Sequence, residues 1–307
     1  MFSIIIPLYN KAPYIQRAID SIMNQSFTEY EIIVVNDGST DGGDNLVEKH
    51  YSNKVTLINQ KNQGVSVARN RGVEESKHQF ISFLDADDCW HEDYLFWMAK
   101  VVEKYPDAGI FGSTYSNQLP IEIQEDPEII EIQDYFKRAD YNTLYTSSST
   151  VIRKDFFENT EGFKKHLIKG EDLDVWFRAV AWFEKCYYVK APLLYYDLSA
   201  ASGTRQLPSL ERTIFSEVLS PSFLPKEPLA WKYFKERFLL LNLWMYFENK
   251  NNWLVRNEFL NQIKSPYLLA KILYRLPFVF WKFIHKYPST KSLLRKYLKF
   301  CFRYLYS

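Results

Sequence analysis

The sequence is poor in cysteine and has no long apolar run. Its three cysteines (Cys89, Cys186 and Cys301) stand far apart, which excludes a disulfide framework and a zinc-binding pattern. No run of about 18 apolar residues without charges occurs, so no membrane-spanning helix is predicted. The first residues show neither a basic nor a long apolar segment, so no secretory signal is expected. These absences favour a cytoplasmic protein.

Acidic residues are absent from the C-terminal stretch. No aspartate or glutamate follows Glu258, whereas ten lysines and arginines do. The whole sequence has 38 basic and 37 acidic residues, so the part up to Glu258 holds 28 basic and 37 acidic side chains, a net charge of −9. An acidic body with a basic tail indicates two roles within one chain.

What the sequence does contain is an alternation of strand and helix patterns in its first half. The β-branched run Ile32–Val35 is typical of a buried parallel strand. The predicted strands are 2–7, 31–36, 55–59 and 80–84, and the predicted helices are 11–25, 44–51, 64–77 and 94–105. Strands that are separated by helices of this length predict right-handed crossovers and a parallel sheet. The fold class is therefore α/β, with a Rossmann-like, mostly parallel sheet flanked by helices.

The regular alternation weakens after about residue 109. Strands are predicted over 147–153 and 187–196, with a helix between them that buries Leu173, Trp176, Phe177 and Val180. From about Pro208 the pattern is helical and rich in aromatic residues. We therefore predict a domain of residues 1–206 and a C-terminal helical extension of residues 207–307, with the boundary near Gln206.

Three carboxylates follow the predicted strand 80–84. Asp85, Asp87 and Asp88 would repel one another, and a divalent cation would offset that repulsion. Magnesium and manganese prefer carboxylate, water and phosphate oxygens as ligands. If the strand geometry continues, residues 85 and 87 point to the same side and can serve one ion or one metal–nucleotide complex. The alternative is a solvated turn in which Asp88 caps the next helix.

Polar residues also follow the second and third predicted strands. Asp37 ends a buried strand beside small residues, where a carboxylate can accept from a base or a ribose, although an Asx-turn is an alternative. Asn62, Arg69 and a helix N-terminus together suit a diphosphate, although Arg69 and Arg71 would also suit a solvated surface helix. In parallel sheets, ligands bind beyond the carboxyl ends of the strands. The sequence therefore predicts a nucleotide site at this edge.

Five segments, in this order along the chain, resemble the motifs of glycosyltransferase family 2. They are Pro7-Leu8-Tyr9-Asn10, Val35-Asn36-Asp37-Gly38-Ser39-Thr40-Asp41, Asn62-x-Gly64 with Ala68-Arg69-Asn70-x-Gly72, Leu84-Asp85-Ala86-Asp87-Asp88, and Gly170-Glu171-Asp172. The resemblance covers about residues 2–205. It implies a GT-A fold, a nucleoside-diphosphate sugar as donor and an inverting transfer, with residues 1–110 as the nucleotide-binding half and 111–206 as the acceptor half.

The resemblance also implies roles for particular donor-site residues. Pro7 and Tyr9 would line the base and ribose pocket, and Asp37 would hydrogen-bond the base. Asn62 would belong to the same donor site, and Arg69 would lie near the nucleotide. UDP is the default donor nucleotide on this resemblance alone.

The remaining implied roles concern metal and catalysis. Asp85 would contact ribose or metal-bound water, and Asp87 would ligate Mn²⁺ or Mg²⁺. Asp172 would be the general base, although it could instead cap the helix after it. Family members often carry a basic or histidine-containing segment after the last strand. Here Asp197 and Ser199 stand at those positions. We therefore expect Asp87, water and the diphosphate to provide most of the metal coordination.

The C-terminal stretch predicts basic amphipathic helices. Lys291, Arg295, Lys299 and Arg303 recur every four residues among apolar ones, and a second such stretch spans about 267–286. Basic and aromatic residues together favour peripheral binding to an anionic membrane surface on the cytoplasmic side. The alternative is a helical hairpin docked on the acidic body. No nucleic-acid partner is predicted, because the excess of basic residues is confined to the tail and no recognised binding motif appears.

We therefore predict a glycosyltransferase that acts on a saccharide or lipid-linked acceptor in envelope polysaccharide synthesis. Two alternatives remain. A sugar nucleotidyltransferase should show a Gly-rich loop with a basic residue after the first strand, and residues 9–13 do not have that pattern. A non-catalytic nucleotide- or glycan-binding relative would keep Asp37 but would not need Asp87 and Asp172.

Overall fold

The computed structural model describes residues 1–139, 144–200, 207–224, 227–262 and 268–303. The chain divides into two compact units: Met1–Tyr135 with Thr143–Thr204, and Phe136–Asn142 with Arg205–Ser307. The predicted boundary residue Gln206 lies outside the described residues, two positions after Thr204.

One sheet forms the centre of the N-terminal unit. Its strands are β1 (Phe2–Leu8), β2 (Tyr30–Asp37), β3 (Thr56–Gln60), β4 (Phe80–Phe83), β5 (Cys89–Trp90), β6 (Ile110–Ser116), β7 (Ile129–Glu131), β8 (Thr150–Arg153) and β9 (Cys186–Tyr195). Their order is β3-β2-β1-β4-β8-β6-β9-β5, and β7 also pairs with β9. Within the described ranges, β5, β7 and β8 run antiparallel to the other six strands. The predicted mostly parallel α/β sheet is confirmed.

Helices connect and flank these strands. Up to residue 200 they are α1 (Ala12–Met23), α2 (Gly43–Tyr51), α3 (Val65–Glu75), α4 (Tyr94–Lys104), α5 (Tyr135–Arg138), α6 (Asp155–Glu158) and α7 (Glu171–Phe183). The C-terminal unit has α8 (Ile214–Leu219), α9 (Leu229–Asn242), α10 (Lys250–Gln262), α11 (Leu268–Tyr274), α12 (Phe278–Lys286) and α13 (Pro288–Arg303). The predicted helices of the first half thus agree with α1 to α4 to within a few residues.

The apolar pattern explains why β1 lies in the centre of the sheet. Residues Ile4, Ile5 and Ile6 are all fully buried, so both faces of the strand are covered. Helix α3 lies very close to this strand at Gly72, where an added Cβ would come within 2.4 Å of Ile5 Cγ2. A glycine therefore sets the depth at which α3, and with it Arg69, lies against the sheet.

The structure differs from the prediction at the strand expected over 147–153. Only Thr150–Arg153 is a strand, and Ser147–Ser149 form a short 3₁₀ turn before it. The reason is local hydrogen bonding. The Thr146 hydroxyl donates to Ser149 Oγ, and the Thr150 hydroxyl donates to the Thr146 carbonyl oxygen at 2.6 Å. Such side-chain bonds give the backbone an alternative to the strand.

The predicted basic tail forms α11, α12 and α13, and one face of these helices lies in the core of the C-terminal unit. Trp281 is fully buried, with its ring centroid 4.9 Å from that of Phe247 and 5.6 Å from that of Tyr274. Leu298 of α13 is also fully buried. In the described part of the chain, no helix combines the length and the apolar character that crossing a membrane requires.

Candidate active site

The carboxyl ends of β1, β2 and β4 meet at one edge of the sheet, because β1 pairs in parallel with both neighbours. Tyr9 follows β1 and is half-exposed, whereas Pro7 lies within the strand opposite Val35. Asn10 joins this edge to the loop after β2, since its Oδ1 accepts from the Thr40 amide at 2.8 Å. The structure thus places the predicted strand-end residues together.

Asp37, at the end of β2, is buried and holds the loop between β3 and α3. Its Oδ1 accepts from Gln60 Nε2 at 2.7 Å and from the Gln63 amide at 2.9 Å, and its Oδ2 accepts from the Gly64 amide at 2.8 Å. The Asx-turn considered for Asp37 is not formed, since both of its oxygens accept from residues 60–64. In the loop after β2, Asn36 Oδ1 accepts from the Ser39 amide, three residues on, at 3.0 Å. An ionised carboxylate has about four acceptor positions, so Asp37 keeps capacity for one more donor.

Asn62 lies in the same loop and is exposed. An added Cβ at Gly38, which has φ +74°, would come within 2.8 Å of the Asn62 amide nitrogen. Only glycine fits this contact and adopts this backbone conformation without strain. The loop after β2 and the loop after β3 therefore lie against each other at this edge of the sheet.

Arg69 is the buried centre of the site, with 3% of its side chain exposed. Its Nη2 donates to Asp85 Oδ1 at 2.8 Å and to Ser147 Oγ at 3.1 Å, and its Nη1 donates to Glu171 Oε1 at 3.1 Å. Burial alone would lower the pKa of Arg69, but the charges of Asp85, Glu171 and Asp172 outweigh it and raise the pKa above its ordinary value. The alternative in which Arg69 is solvated on a surface helix is therefore wrong.

Asp87 pairs with a residue that the sequence reasoning did not single out. Lys11 Nζ, at the start of α1, donates to Asp87 Oδ2 at 2.6 Å. Asp85 is paired with Arg69, so both carboxylates of the predicted metal site already face a positive charge. In the part of the chain that is described, no group of three or more His, Cys, Asp or Glu side chains is placed to hold a metal.

These residues fit a divalent cation only in part. Asp87 offers one ligand oxygen, and Asp85 offers a second nearby, whereas magnesium takes about six oxygen ligands. The phosphates and water would have to supply the rest, as the sequence predicted. Lys11 already holds Asp87 Oδ2, so a cation on Asp87 would compete with this ion pair.

Asp88, unlike Asp85 and Asp87, is buried, with 2% of the residue exposed. Its Oδ2 accepts from Ser148 Oγ at 2.6 Å, and its Oδ1 accepts from the Asp197 amide at 3.1 Å. Burial, together with the charge of Asp85, raises the pKa of Asp88 to about 7. The alternative role of Asp88 as a helix cap is wrong, because α4 begins at Tyr94 and Asp93 holds the N-cap position.

Asp197, which departs from the family pattern after β9, forms an ion pair with α1. Its Oδ2 accepts from Arg17 Nη2 at 2.7 Å, and its Oδ1 accepts from the Ser199 amide at 2.9 Å. Hydrogen bonds from Ser199, and then from Arg17, lower the pKa of Asp197 to about 2. The segment after β9 is therefore tied to α1 by an ion pair at the position where a basic or histidine residue was expected.

Asp172 lies in the first turn of α7, whose N-cap is Gly170 with φ +76°. Its Oδ1 accepts from the Leu173 amide at 2.8 Å, so Asp172 satisfies one amide of the first turn without being the N-cap. Burial raises the pKa of Asp172, and Asp85 adds to the shift while Arg69 opposes it. A raised carboxylate pKa suits a general base.

Glu171 and the serines before β8 complete the site, and the motif reasoning gave them no role. Burial, followed by the charge of Asp172, raises the pKa of Glu171 to about 7. Ser148 Oγ lies 3.0 Å from the Asp85 amide, and Ser147 Oγ accepts from Arg69. The only signal in the sequence was the run of three serines at the start of a predicted strand.

Together, this sheet, its strand-end site and its helices form a GT-A fold. The S. aureus TarS 1–349 structure in complex with UDP-GlcNAc has a similar fold, with a TM-score of 0.63 and 21% identity, over 98% of this chain and 86% of that one. The family model "Glycosyl transferase family 2" matches residues 3–166. The chain belongs to glycosyltransferase family 2.

Curated relatives agree with this family. The chain is 30% identical over 215 residues to the putative glycosyltransferase EpsH of Bacillus subtilis, which covers 65% of this chain and 61% of EpsH. It is 24% identical over 295 residues to the amylovoran biosynthesis glycosyltransferase AmsB of Erwinia amylovora, covering 86% of this chain and 95% of AmsB. The chain thus spans less than two thirds of the length of EpsH, and nearly all of AmsB.

Proposed function

We propose that this protein transfers a sugar from a nucleoside-diphosphate sugar, with a UDP-sugar favoured, to a hydroxyl of a saccharide or lipid-linked acceptor. The observation that carries the proposal is the buried Arg69, which joins Asp85 at the donor edge to Glu171 beside Asp172. One guanidinium thereby joins Asp85, which we assign to the donor site, to Glu171, the neighbour of the proposed base. The names of the relatives EpsH and AmsB, and the UDP-GlcNAc bound in TarS, support this reading. The role would lie in envelope polysaccharide synthesis.

The chemistry follows from the charges of the cluster. The acceptor oxygen forms a bond to the anomeric carbon from the face opposite the nucleotide, the bond to the diphosphate oxygen breaks, and Asp172 takes the hydroxyl proton. This displacement inverts the anomeric centre. Two groups can stabilise the departing diphosphate. One is the Lys11 ammonium, when it is not paired with Asp87. The other is the set of amides at the N-terminus of α3. A Mn²⁺ or Mg²⁺ ion held by Asp87 would supply further positive charge to the same oxygens.

Nucleotide binding tests the donor site directly. UDP, GDP, CDP and dTDP are each added to the protein with and without MnCl₂, and the midpoint of thermal unfolding (Tm) is measured. At 100 times Kd, binding stabilises the folded state by about 2.7 kcal/mol, which corresponds to roughly 5 °C or more. We expect UDP to give the largest shift.

The variant Asp87→Asn, measured in the same thermal-unfolding experiment, tests the contribution of the metal. Asp87→Asn should lose most of the additional shift from manganese and keep the shift that UDP causes alone. The donor-site proposal is abandoned if no nucleoside diphosphate changes Tm. An equal manganese effect in Asp87→Asn would remove Asp87 as the metal ligand.

Peripheral membrane attachment is a separate part of the proposal, supported by the outer face of α12. Val279 and Phe283 are 75% and 55% exposed and lie on one side of the helix, beside the exposed Lys282 and Lys286. An exposed apolar strip flanked by basic side chains suits an anionic lipid surface. We propose that this face binds the cytoplasmic surface of the membrane.

Vesicle flotation tests this attachment. We expect the protein to float with vesicles that contain phosphatidylglycerol and not with pure phosphatidylcholine. The double variant Lys282→Glu/Lys286→Glu should lose most of this binding, at roughly 1 kcal/mol for each basic residue removed. Lys49→Glu/Lys54→Glu, which makes the same charge change at exposed sites of the N-terminal unit, is the control. Equal loss in both variants would contradict a specific role for α12.

A further inference from the structure

Tyr196 follows β9 at the edge of the sheet that carries the candidate active site. Strand β9 pairs in parallel with β6, β6 pairs antiparallel with β8, and β8 pairs antiparallel with β4. The carboxyl end of β9 therefore lies at the same edge as the carboxyl ends of β1 and β4. The proposed transfer gives Tyr196 no role, although this residue lies within the same compact unit as the site.

Hydrogen bonds hold the backbone on both sides of Tyr196. Its amide donates to the Ser116 carbonyl oxygen at 2.8 Å, and its own carbonyl oxygen accepts from Asn117 Nδ2 at 2.9 Å. The next amide, that of Asp197, donates to Asp88 Oδ1 at 3.1 Å. Tyr196 is therefore held between the end of β6 and the loop that joins β4 to β5.

The hydroxyl of Tyr196 lies among the carboxylates of the site. Burial raises the pKa of Tyr196 to about 12, and the charges of four carboxylates contribute to this rise: Asp88, Asp85, Asp87 and Asp172. Because Coulombic interaction weakens with distance and is screened by water, all four carboxylates lie near this hydroxyl. The hydroxyl keeps its proton at neutral pH and can donate a hydrogen bond.

A ligand can reach this hydroxyl. Tyr196 is only half-buried, and within the part of the chain that the structure describes its hydroxyl forms no hydrogen bond. The side chain is supported through its ring, whose centroid lies 5.6 Å from that of the exposed Tyr115 at an interplanar angle of 53°. The ring is thus in contact with the protein, while the hydroxyl is available to a ligand in the site.

The two groups of carboxylates indicate which part of the ligand Tyr196 meets. In the proposed transfer, Asp87 acts on the diphosphate side and Asp172 takes the proton of the acceptor hydroxyl. The transferred sugar is bonded to the diphosphate before the reaction and to the acceptor oxygen after it, so the sugar lies between these two sides. A hydroxyl near both Asp87 and Asp172 therefore faces the sugar and not the nucleotide base.

We propose that Tyr196 contacts the transferred sugar and donates a hydrogen bond from its hydroxyl to an oxygen of that sugar. This inference rests on the proposed function, because it requires a nucleotide-sugar in the donor site. It assigns to Tyr196 a part in recognising the sugar of the donor, whereas Asp37 and Arg69 concern the nucleotide and the carboxylates.

Binding of UDP and of UDP-sugars tests this contact. The Kd values of UDP, UDP-GlcNAc, UDP-glucose and UDP-galactose are measured by titration calorimetry with MnCl₂, for the original full chain and for Tyr196→Phe. We expect the variant to bind the tightest UDP-sugar about three- to tenfold more weakly, as for one lost hydrogen bond, and to keep the Kd of UDP within about twofold. The Tm of the ligand-free variant should stay close to that of the original protein, because the lost hydroxyl has no partner there.

Tyr195→Phe makes the same chemical change one residue earlier and is the matched control. Tyr195 lies at the end of β9 opposite Cys89, and the guanidinium carbon of Arg17 lies 5.3 Å from its ring centroid. Neighbouring side chains of a strand point to opposite faces, and phenylalanine keeps the ring that Arg17 contacts. This variant should therefore keep the Kd values of both UDP and the UDP-sugar.

The outcomes separate this inference from the proposed function. If UDP binds but Tyr196→Phe binds the UDP-sugar unchanged, or if no UDP-sugar binds where UDP does, the sugar contact is wrong and the donor site stands. Equal losses in Tyr196→Phe and Tyr195→Phe would also overturn the contact, because they would indicate damage to the end of β9. If neither UDP nor any UDP-sugar binds the original protein, the proposed function fails, and the sugar contact fails with it.

Discussion

Asp172→Asn is expected to lower kcat by about 10²–10⁴ and to leave the Kd of the nucleotide within about twofold. Asparagine has the same shape, and its Oδ1 can still accept from the Leu173 amide as Asp172 does. It cannot take a proton, so the acceptor hydroxyl loses its base. Initial rates of nucleoside diphosphate release give kcat, and nucleotide titration gives Kd.

Asp174→Asn on the same helix separates chemistry from stability. Asp174 is fully buried, accepts from Arg178 Nε at 2.9 Å and lies 3.3 Å from Lys164 Nζ. Weakening this buried ion pair should lower Tm and leave the kcat of the folded enzyme close to that of the original protein. If Asp172→Asn keeps its turnover, Asp172 is not the base. Equal losses of kcat in both variants would indicate damage to α7 instead.

The sequence was sufficient to predict the site residues that lie at the ends of strands. The run Ile32–Val35 identified β2, and the rule for parallel sheets then placed Asp37 and Asp85 at one edge. The helix that carries Arg69 was predicted from the same alternation of patterns. Local periodicity and sheet topology were sufficient, because each of these residues lies directly after or within a regular element.

The unpredicted part consists of pairs between distant segments. Arg69 and Glu171 are 102 positions apart, and Arg17 and Asp197 are 180 apart. No periodicity connects such residues, so neither the pair that holds Asp197 nor the burial of Arg69 could be read from spacing. The short antiparallel strand β5 was not predicted from the sequence, for a related reason. It has two residues, too few for a period-two pattern, and its pairing with β9 defines it.

Arg69→Met is expected to destabilise the protein by about 3–5 kcal/mol at pH 8, since removing one partner leaves uncompensated buried charges. Asp85, Glu171 and Asp172 then face one another without the guanidinium that now offsets them. Denaturant unfolding of the full chain measures the loss. Arg71→Met on the exposed side of α3 is the control. Arg71 forms surface pairs with neighbouring glutamates of α3, and its loss should cost at most about 1 kcal/mol.

The pH dependence of this loss identifies its cause. The pKa of Glu171 is about 7 in the folded protein, above its ordinary value, and burial also raises that of Asp172. The folded state therefore binds more protons than the unfolded state between about pH 4.5 and 7, and stability falls as the pH rises through this window. Arg69 lowers the pKa of both carboxylates, so its removal deepens the fall. Arg69→Met should thus lower the free energy of unfolding more at pH 8 than at pH 5. An equal loss at both pH values would show that Arg69 stabilises the protein by packing and not by offsetting carboxylate charge.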